Sequence, residues 1–187
     1  MSDALGPTSS ALSPAPRRKL FGFEIDPLSM PEAINLLHFW LNRNEGPCRF
    51  VVTPNVDHAV LLQEHRALQA AYRDADLVLA DGHPLVWASR LLRQALPERV
   101  PGSDLVPRLF ESTQERGPLT AYLLGAAPGV ADRAADNIQK TWPQVRVVGC
   151  YSPPLGFEKH PEETEAILGR ISACQPDVLV VGLGAPK

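Results

Sequence analysis

The sequence has few cysteines, no long apolar run and no excess of positive charge. Its three cysteines, Cys48, Cys150 and Cys174, are widely separated and form no CxxC pair. This spacing favours reduced thiols in the cytoplasm over a disulfide framework or a zinc site. No apolar run approaches the roughly 18 residues of a membrane helix, and no apolar h-region predicts a signal peptide. The formal net charge of −3 argues against a nucleic-acid partner.

Composition predicts one folded domain behind an N-terminal tail. The chain has 187 residues, 44% of them apolar, which is enough to bury one core. Residues 1–18 are rich in Ser, Pro and Ala and lack periodicity, so they are predicted to be disordered. Residues 19–187 are predicted to form the domain.

Apolar strand-like runs alternate with amphipathic helical patterns along this domain. Strands are predicted in CRFVVTPN, DLVLADG, LTAYLLG, VRVVGCY and DVLVVGLG. Between them, helices are predicted in PEAINLLHFWLNRN, VDHAVLLQEHRALQAAYRDA, PLVWASRLLRQA, SDLVPRLFESTQERG with Ser103 as N-cap, GVADRAADNIQKTW and HPEETEAILGRISACQ. This alternation predicts an α/β fold, Rossmann-like, with a mainly parallel sheet and helices on both faces.

Ligands of such sheets bind beyond the carboxyl ends of the strands. Asp81 lies there, in the cluster Asp81-Gly82-His83-Pro84 between a strand and a helix. Its carboxylate suits a general base that takes a proton from an attacking hydroxyl. The alternative interpretation is that Asp81 caps the following helix.

Two further groups at the predicted rim are suited to a nucleotide. Thr53 and Asn55 end a strand, where their side chains would bind a nucleotide or stabilise the turn. Arg99 lies between Pro97 and Pro101, on a loop whose geometry the prolines restrict. A fixed guanidinium suits a diphosphate leaving group, although surface arginines are common.

Glycine turns follow two of the later strands. The Gly125–Gly129 turn precedes a helix that would seat a diphosphate on its N-terminus. Gly182 and Gly184 would allow close backbone approach to a ligand, or form only a tight turn. The first turn lacks the full GxGxxG, and no acidic residue ends the next strand, VRVVG. The incomplete motif and the missing acidic residue argue against the alternative interpretation, in which the protein is a nicotinamide-dependent oxidoreductase or a nucleotide-binding regulatory module.

The sequence predicts neither a metal site nor a cofactor. Asp74 and Asp76 spell the DxD of many sugar-nucleotide transferases, but they precede a strand rather than follow one and are interpreted as turn residues. The five histidines show no ligand spacing such as HExxH. Among them only His83, beside Asp81, is a candidate site residue.

Five segments follow one another along the chain: TPNVDH, ADLVLADGHPLVWASRLL, ERVPGSDLVPRL, YLLGAAPGVADRAADNI and PDVLVVGLGAPK. In this order they resemble the WecG/TagA/CpsF family, glycosyltransferase family 26. The resemblance runs from about Phe21 to the last residue. The second, third and fifth segments make it specific.

The resemblance implies an inverting transferase that moves a sugar of the glucose, N-acetylmannosamine or N-acetylmannosaminuronate type. The implied donor is a UDP-sugar, and the implied acceptor is an undecaprenyl-diphosphate-linked sugar in cell-surface polysaccharide biosynthesis. The family needs no obligatory divalent metal. Its catalytic base falls on Asp81. The substrate-binding residues expected with it are Thr53, Asn55, Gly82, His83, Arg99, Gly125, Gly182, Gly184 and Lys187.

At its end the sequence departs from the family. Family members continue the GAPK motif with Gln-Glu, a further helix and a C-terminal appendage that helps to hold the membrane, whereas this sequence ends at Lys187. We therefore expect a domain truncated at its C-terminus, with weak catalysis and a tendency to self-associate. The implied location is the cytoplasm, peripheral on the inner face of the membrane through the missing region.

Overall fold

Strands and helices alternate through the two units of the fold. The computed structural model describes residues 15–43 and 46–184. The chain divides into two compact units, Met1–Leu105 and Val106–Lys187, and each contains parallel strand pairs. The predicted α/β class with parallel pairing is confirmed. Most of the predicted tail, residues 1–14, lies outside the described residues.

The first unit begins with a hairpin that the sequence did not predict. Strand β1 (Arg18–Leu20) pairs antiparallel with β2 (Phe23–Ile25). Phe21 and Gly22 between them have φ of 51° and 85°, as tight hairpin turns require. There follow α1 (Met30–Arg43), β3 (Val51–Val52), α2 (Val56–Glu64), α3 (Arg66–Asp74), β4 (Leu77–Val78), α4 (His83–Leu91) and α5 (Gly102–Glu111), whose end lies in the second unit.

A buried carboxylate joins the hairpin to β4. The backbone N–H of Asp26 donates to the carbonyl of Val78, and the Val78 N–H donates to Asp26 Oδ2, both at 2.8 Å. Arg17 Nε lies 3.0 Å from Asp26 Oδ1 and forms an ion pair with this carboxylate. Arg17 and Arg18, which composition placed in the tail, therefore belong to the folded unit.

The prediction of one long helix after β3 is wrong, because the chain forms two helices. His65 separates α2 from α3 in an extended conformation. Ala59 and Tyr72 both pack in the core of this unit. In a straight helix, 13 residues at 100° each would place them about 140° apart, so the break brings both faces to one core.

The second unit is a three-stranded parallel sheet with the strand order β6-β5-β7. Its strands are β5 (Leu119–Gly125), β6 (Val145–Tyr151) and β7 (Val178–Gly182). Its helices are α6 (Thr113–Arg116), α7 (Val130–Thr141), the 3₁₀ helix Phe157–Lys159 and α8 (Pro161–Cys174). Strands β5 and β6 have the bounds of the predicted segments LTAYLLG and VRVVGCY.

The start of helix α5 differs from the prediction. Ser103 lies inside α5, which begins at Gly102, so the prediction that Ser103 is the N-cap is wrong. Its hydroxyl instead lies 3.4 Å from Asp104 Oδ1.

None of the helices within the described residues has the length and apolar character needed to cross a membrane.

Candidate active site

The ends of β3 and β4 bring two predicted site segments together. The parallel ladder continues past both strands, because the Leu79 N–H donates to Val52 O at 2.9 Å and the Asp81 N–H donates to Pro54 O at 2.8 Å. Thr53, Pro54 and Asn55 therefore run alongside the segment that ends at Asp81. Of the clusters predicted to share one strand-end rim, these two lie side by side.

Asp81 lies close to the start of the helix that follows. Helix α4 begins at His83, and its N-cap is Gly82, which has no side chain to make a cap hydrogen bond. Gly82 has φ of 123°, a conformation that residues with a Cβ rarely adopt. Asp81 therefore lies one residue before the N-cap of α4 and is not the N-cap itself. Its carboxylate is half-buried at the strand end.

The surroundings of Asp81 change its acidity. Burial raises the pKa of the Asp81 carboxyl above its ordinary value, the positive charges of Arg99 and His58 oppose this rise, and the negative charge of Asp104 adds to it. A raised pKa makes the carboxylate a better proton acceptor than an exposed one. The predicted role of Asp81 as a general base is compatible with this position and this pKa shift, and it stays a prediction.

Arg99 is held beside this segment by the backbone. The N–H of Val100 donates to Ala80 O at 2.7 Å, which fixes the loop next to the residue before Asp81. The guanidinium is exposed, and its Nη2 lies 3.3 Å from Asp104 Oδ2. Because this ion pair is solvated, the guanidinium remains available to an anionic ligand.

Thr53 packs against the start of α5. A Cβ added to Gly102 would lie 3.0 Å from Thr53 Oγ1, which is closer than ordinary van der Waals contact. Gly102 therefore leaves the space that the threonine hydroxyl occupies. The position of Thr53 depends on a glycine 49 positions later in the chain.

Asn55 and His58 form a reciprocal cap at the start of α2. Asn55 Oδ1 accepts from the His58 N–H at 3.1 Å, and His58 Nδ1 accepts from the Asn55 N–H at 3.3 Å. Asn55 thus stabilises the turn, one of its two predicted roles, and keeps its Nδ2 group as a hydrogen-bond donor. His58, whose charge acts on Asp81, was not among the predicted site residues. The three-residue spacing of a capping box was the available signal.

His83, the histidine that the sequence favoured, is exposed at the first position of α4. Its ring centroid lies 5.9 Å from that of Trp87. The charged groups that shift the pKa of Asp81 are Arg99, His58 and Asp104. A role for His83 in binding substrate stays a prediction.

In the second unit, the glycine turns come together at the ends of β5 and β7. Gly125 has φ of 116°, and a Cβ there would lie 2.4 Å from Gly182 O. Glycine is thus required at position 125 because the backbone of Gly182 approaches it closely. Gly184 has φ of 75°, and Lys187 lies outside the described residues.

The DxD aspartates do not share a common role. The Asp76 carboxylate accepts from the Phe50 N–H at 2.9 Å and lies 3.6 Å from Arg49 Nη1. It therefore ties the start of β3 to the start of β4. Asp74 is the last residue of α3. Across residues 15–43 and 46–184, no group of three or more His, Cys, Asp or Glu is arranged to hold a metal ion.

Comparison with known proteins assigns the chain to a family. The family described as Glycosyl transferase WecG/TagA/CpsF family matches residues 18–187. Relatives from Staphylococcus aureus strains NCTC 8325 / PS 47, COL and MRSA252 carry the name N-acetylglucosaminyldiphosphoundecaprenol N-acetyl-beta-D-mannosaminyltransferase. The chain is 27% identical to each over 169 residues, which are 90% of this chain and 63% of the relative. It thus spans slightly less than two thirds of their length.

Proposed function

Because the chain belongs to the WecG/TagA/CpsF glycosyl transferase family, we propose that it transfers a sugar from a UDP-sugar to a polyprenyl-diphosphate-linked acceptor. The name of the Staphylococcus aureus relatives describes transfer of N-acetylmannosamine to N-acetylglucosaminyl-diphospho-undecaprenol. We propose the same acceptor class and an amino-sugar donor for this chain. The reaction would serve cell-surface polysaccharide synthesis on the inner face of the membrane.

One observation carries the proposal: a carboxylate with a raised pKa lies at a strand end and interacts with an available guanidinium. Asp81 is not the N-cap of α4, and its acidity responds to Arg99. A glycosyl transfer needs both groups, because a proton leaves the acceptor hydroxyl while negative charge grows on the departing diphosphate.

The proposed reaction is a single displacement. Asp81 takes the proton of the acceptor hydroxyl as its oxygen bonds to the anomeric carbon. The bond from that carbon to the UDP oxygen breaks on the opposite side, its electron pair goes to the diphosphate, and the anomeric centre is inverted. The Arg99 guanidinium stabilises the charge on the diphosphate, and a preorganised donor of this kind contributes about 3–4 kcal/mol.

Thr53 and Asn55 would bind the nucleotide beside the base. The Thr53 hydroxyl occupies space that Gly102 leaves open, and the Asn55 side chain is held by its cap hydrogen bond. Asn55 is thereby ordered before a ligand arrives, which lowers the entropic cost of binding. Gly82 and His83, in the first unit, are proposed as further binding residues. A binding role for Gly125, Gly182, Gly184 and Lys187 stays a prediction from the sequence.

The test compares Asp81→Asn with Asp136→Asn, which removes an exposed carboxylate from α7. Transfer is measured with UDP-N-acetylmannosamine and a short-chain polyprenyl-diphosphate N-acetylglucosamine, and UDP affinity is measured by calorimetry. We expect Asp81→Asn to lower transfer about 10²–10⁴-fold and to keep UDP affinity, with Asp136→Asn unchanged. Transfer within a few-fold of the wild type in Asp81→Asn would refute the proposed base.

A binding competition separates this function from the nicotinamide-dependent rival. We expect UDP to displace a labelled UDP-sugar and NAD to leave it bound. Displacement by NAD at similar concentrations would favour the dinucleotide-binding alternative.

A further inference from the structure

Helix α4 carries an exposed apolar stripe next to the proposed base. Trp87 is 64% exposed and Leu91 is 86% exposed. Residues four apart lie on one side of a helix, so both share a side with His83 at its first position. Leu92, just past the end of the helix, is 53% exposed and extends the apolar surface. We call Trp87, Leu91 and Leu92 the α4 stripe.

The α4 stripe lies opposite the side of the helix that enters the core. Leu85, Val86 and Ser89 are the buried residues of α4. The Ser89 hydroxyl donates to Val86 O at 2.7 Å and accepts from the Leu96 N–H at 3.0 Å. The Gln94 N–H also donates to Ser89 O at 2.8 Å. These bonds hold the turn after the helix, so Leu91 and Leu92 are presented in a fixed geometry.

The segment that carries the α4 stripe is basic in a chain that is acidic as a whole. Residues 82–97 contain no Asp or Glu, although the formal net charge of the chain is −3. Arg90 and Arg93 lie within this segment, and both are exposed. The next carboxylate, Glu98, accepts a hydrogen bond of 2.7 Å from the Met30 N–H. Exposed aromatic, leucine and arginine side chains therefore occur together in a segment that has no acidic residue of its own.

We propose that the α4 stripe docks on the surface of an anionic lipid bilayer. Tryptophan is favoured at the headgroup level, leucine gains free energy on entering the acyl boundary, and arginine binds lipid phosphates. A second copy of the chain is a poorer occupant, because a symmetric contact would bring four arginines together without an acid from residues 82–97. An anionic lipid surface supplies the opposite charge.

Docking in this way would place the bilayer beside the proposed base. Asp81 precedes α4 by two residues, so a lipid surface against the stripe would lie close to the strand end where the carboxylate sits. A lipid-linked acceptor could then present its sugar while its polyprenyl chain stays in the membrane. This consequence rests on the proposed function, whereas the docking itself does not.

The experiment is co-sedimentation of the chain with vesicles that contain no acceptor. Vesicles of phosphatidylcholine alone are compared with vesicles that contain one third phosphatidylglycerol. We expect binding to the anionic vesicles that weakens with added salt. The double variant Trp87→Gln/Leu91→Gln should lower the partition coefficient about tenfold or more. Arg90→Gln/Arg93→Asn should also lower it, with asparagine chosen because residue 93 has φ of 56°.

The matched control is Leu155→Gln/Leu168→Gln, which removes two leucines that are 95% and 58% exposed in the second unit. It should bind vesicles as the wild type does. Equal binding by all variants, or no preference for anionic lipid, would overturn the proposal. A change in oligomeric state of Trp87→Gln/Leu91→Gln without vesicles would assign the stripe to a second copy instead. Asp81→Asn should keep full vesicle binding, so a failure of the proposed transfer reaction would remain distinguishable.

Discussion

The backbone N–H of Asp81 donates a hydrogen bond of 2.8 Å to the carbonyl of Pro54. Pro54 lies between Thr53 and Asn55, so this bond aligns the proposed base with the proposed nucleotide-binding residues. The bond joins backbone atoms, and it is therefore insensitive to the side chain at position 81. Substitutions there change the chemistry of the site without releasing the strand end.

The first prediction concerns stability and pH at Asp81. The pKa of Asp81 in the folded state lies above its unfolded value, so ionisation of this carboxyl destabilises the fold. Its contribution to stability is fully present below the unfolded pKa and is lost as pH rises through the folded pKa. We therefore expect Asp81→Asn to raise Tm at pH 7, by a difference that shrinks as pH falls below the ordinary range of aspartate. Thermal unfolding across pH measures this, with Asp136→Asn as control. A lower Tm at pH 7 in Asp81→Asn would contradict it.

The second prediction separates the Arg99 guanidinium from its ion pair. Arg99→Gln should lower kcat for transfer about 10²–10³-fold, because a donor to the diphosphate is lost. Its free energy of unfolding should change by less than about 1 kcal/mol, because the Arg99–Asp104 pair is exposed. Asp104→Asn removes the same pair, keeps the guanidinium and should retain transfer. Equal losses of kcat in both variants would show that the ion pair, not the charge, is required.

The third prediction tests Thr53 through its neighbour. In Gly102→Ala, the new Cβ would lie 3.0 Å from Thr53 Oγ1, so the hydroxyl must move. We expect UDP affinity, measured by calorimetry, to fall several-fold. Gly169→Ala is the control, because nothing lies within 4 Å of its Cβ, and alanine should stabilise α8 by up to about 1 kcal/mol. Unchanged UDP affinity in Gly102→Ala would show that the Thr53 hydroxyl does not contribute to UDP binding.

The fourth prediction concerns the contact between Gly125 and Gly182. Gly125→Ala would place a Cβ 2.4 Å from Gly182 O at φ of 116°, so the two strand ends must separate. We expect urea unfolding to show a loss of at least about 2 kcal/mol. In Gly129→Asn, where φ is 75° and the nearest atom would be Arg133 Nη1 at 3.6 Å, the loss should be smaller. Similar losses in both variants would mean that φ alone, not the Gly182 contact, selects glycine at position 125.

Most strands and helices could be predicted from local pattern alone. The segments LTAYLLG and VRVVGCY match β5 and β6 residue for residue, because each is a short apolar run bounded by turn residues. The hairpin of β1 and β2 was missed, since three-residue strands carry too little pattern to be recognised. The turn at Phe21 and Gly22 becomes evident only from its positive φ angles.

The family, the α/β class and the strand-end position of Asp81 were determined by the sequence itself, because they depend on residue order and local periodicity. Tertiary structure alone decided how the site is built. The break at His65 serves a core shared by distant residues, and Gly102 makes room for Thr53. The pKa of Asp81 is raised by burial and by the charge of Asp104, against the opposing charges of Arg99 and His58. Burial and electrostatic interactions depend on distances in space, which spacing along the chain does not specify.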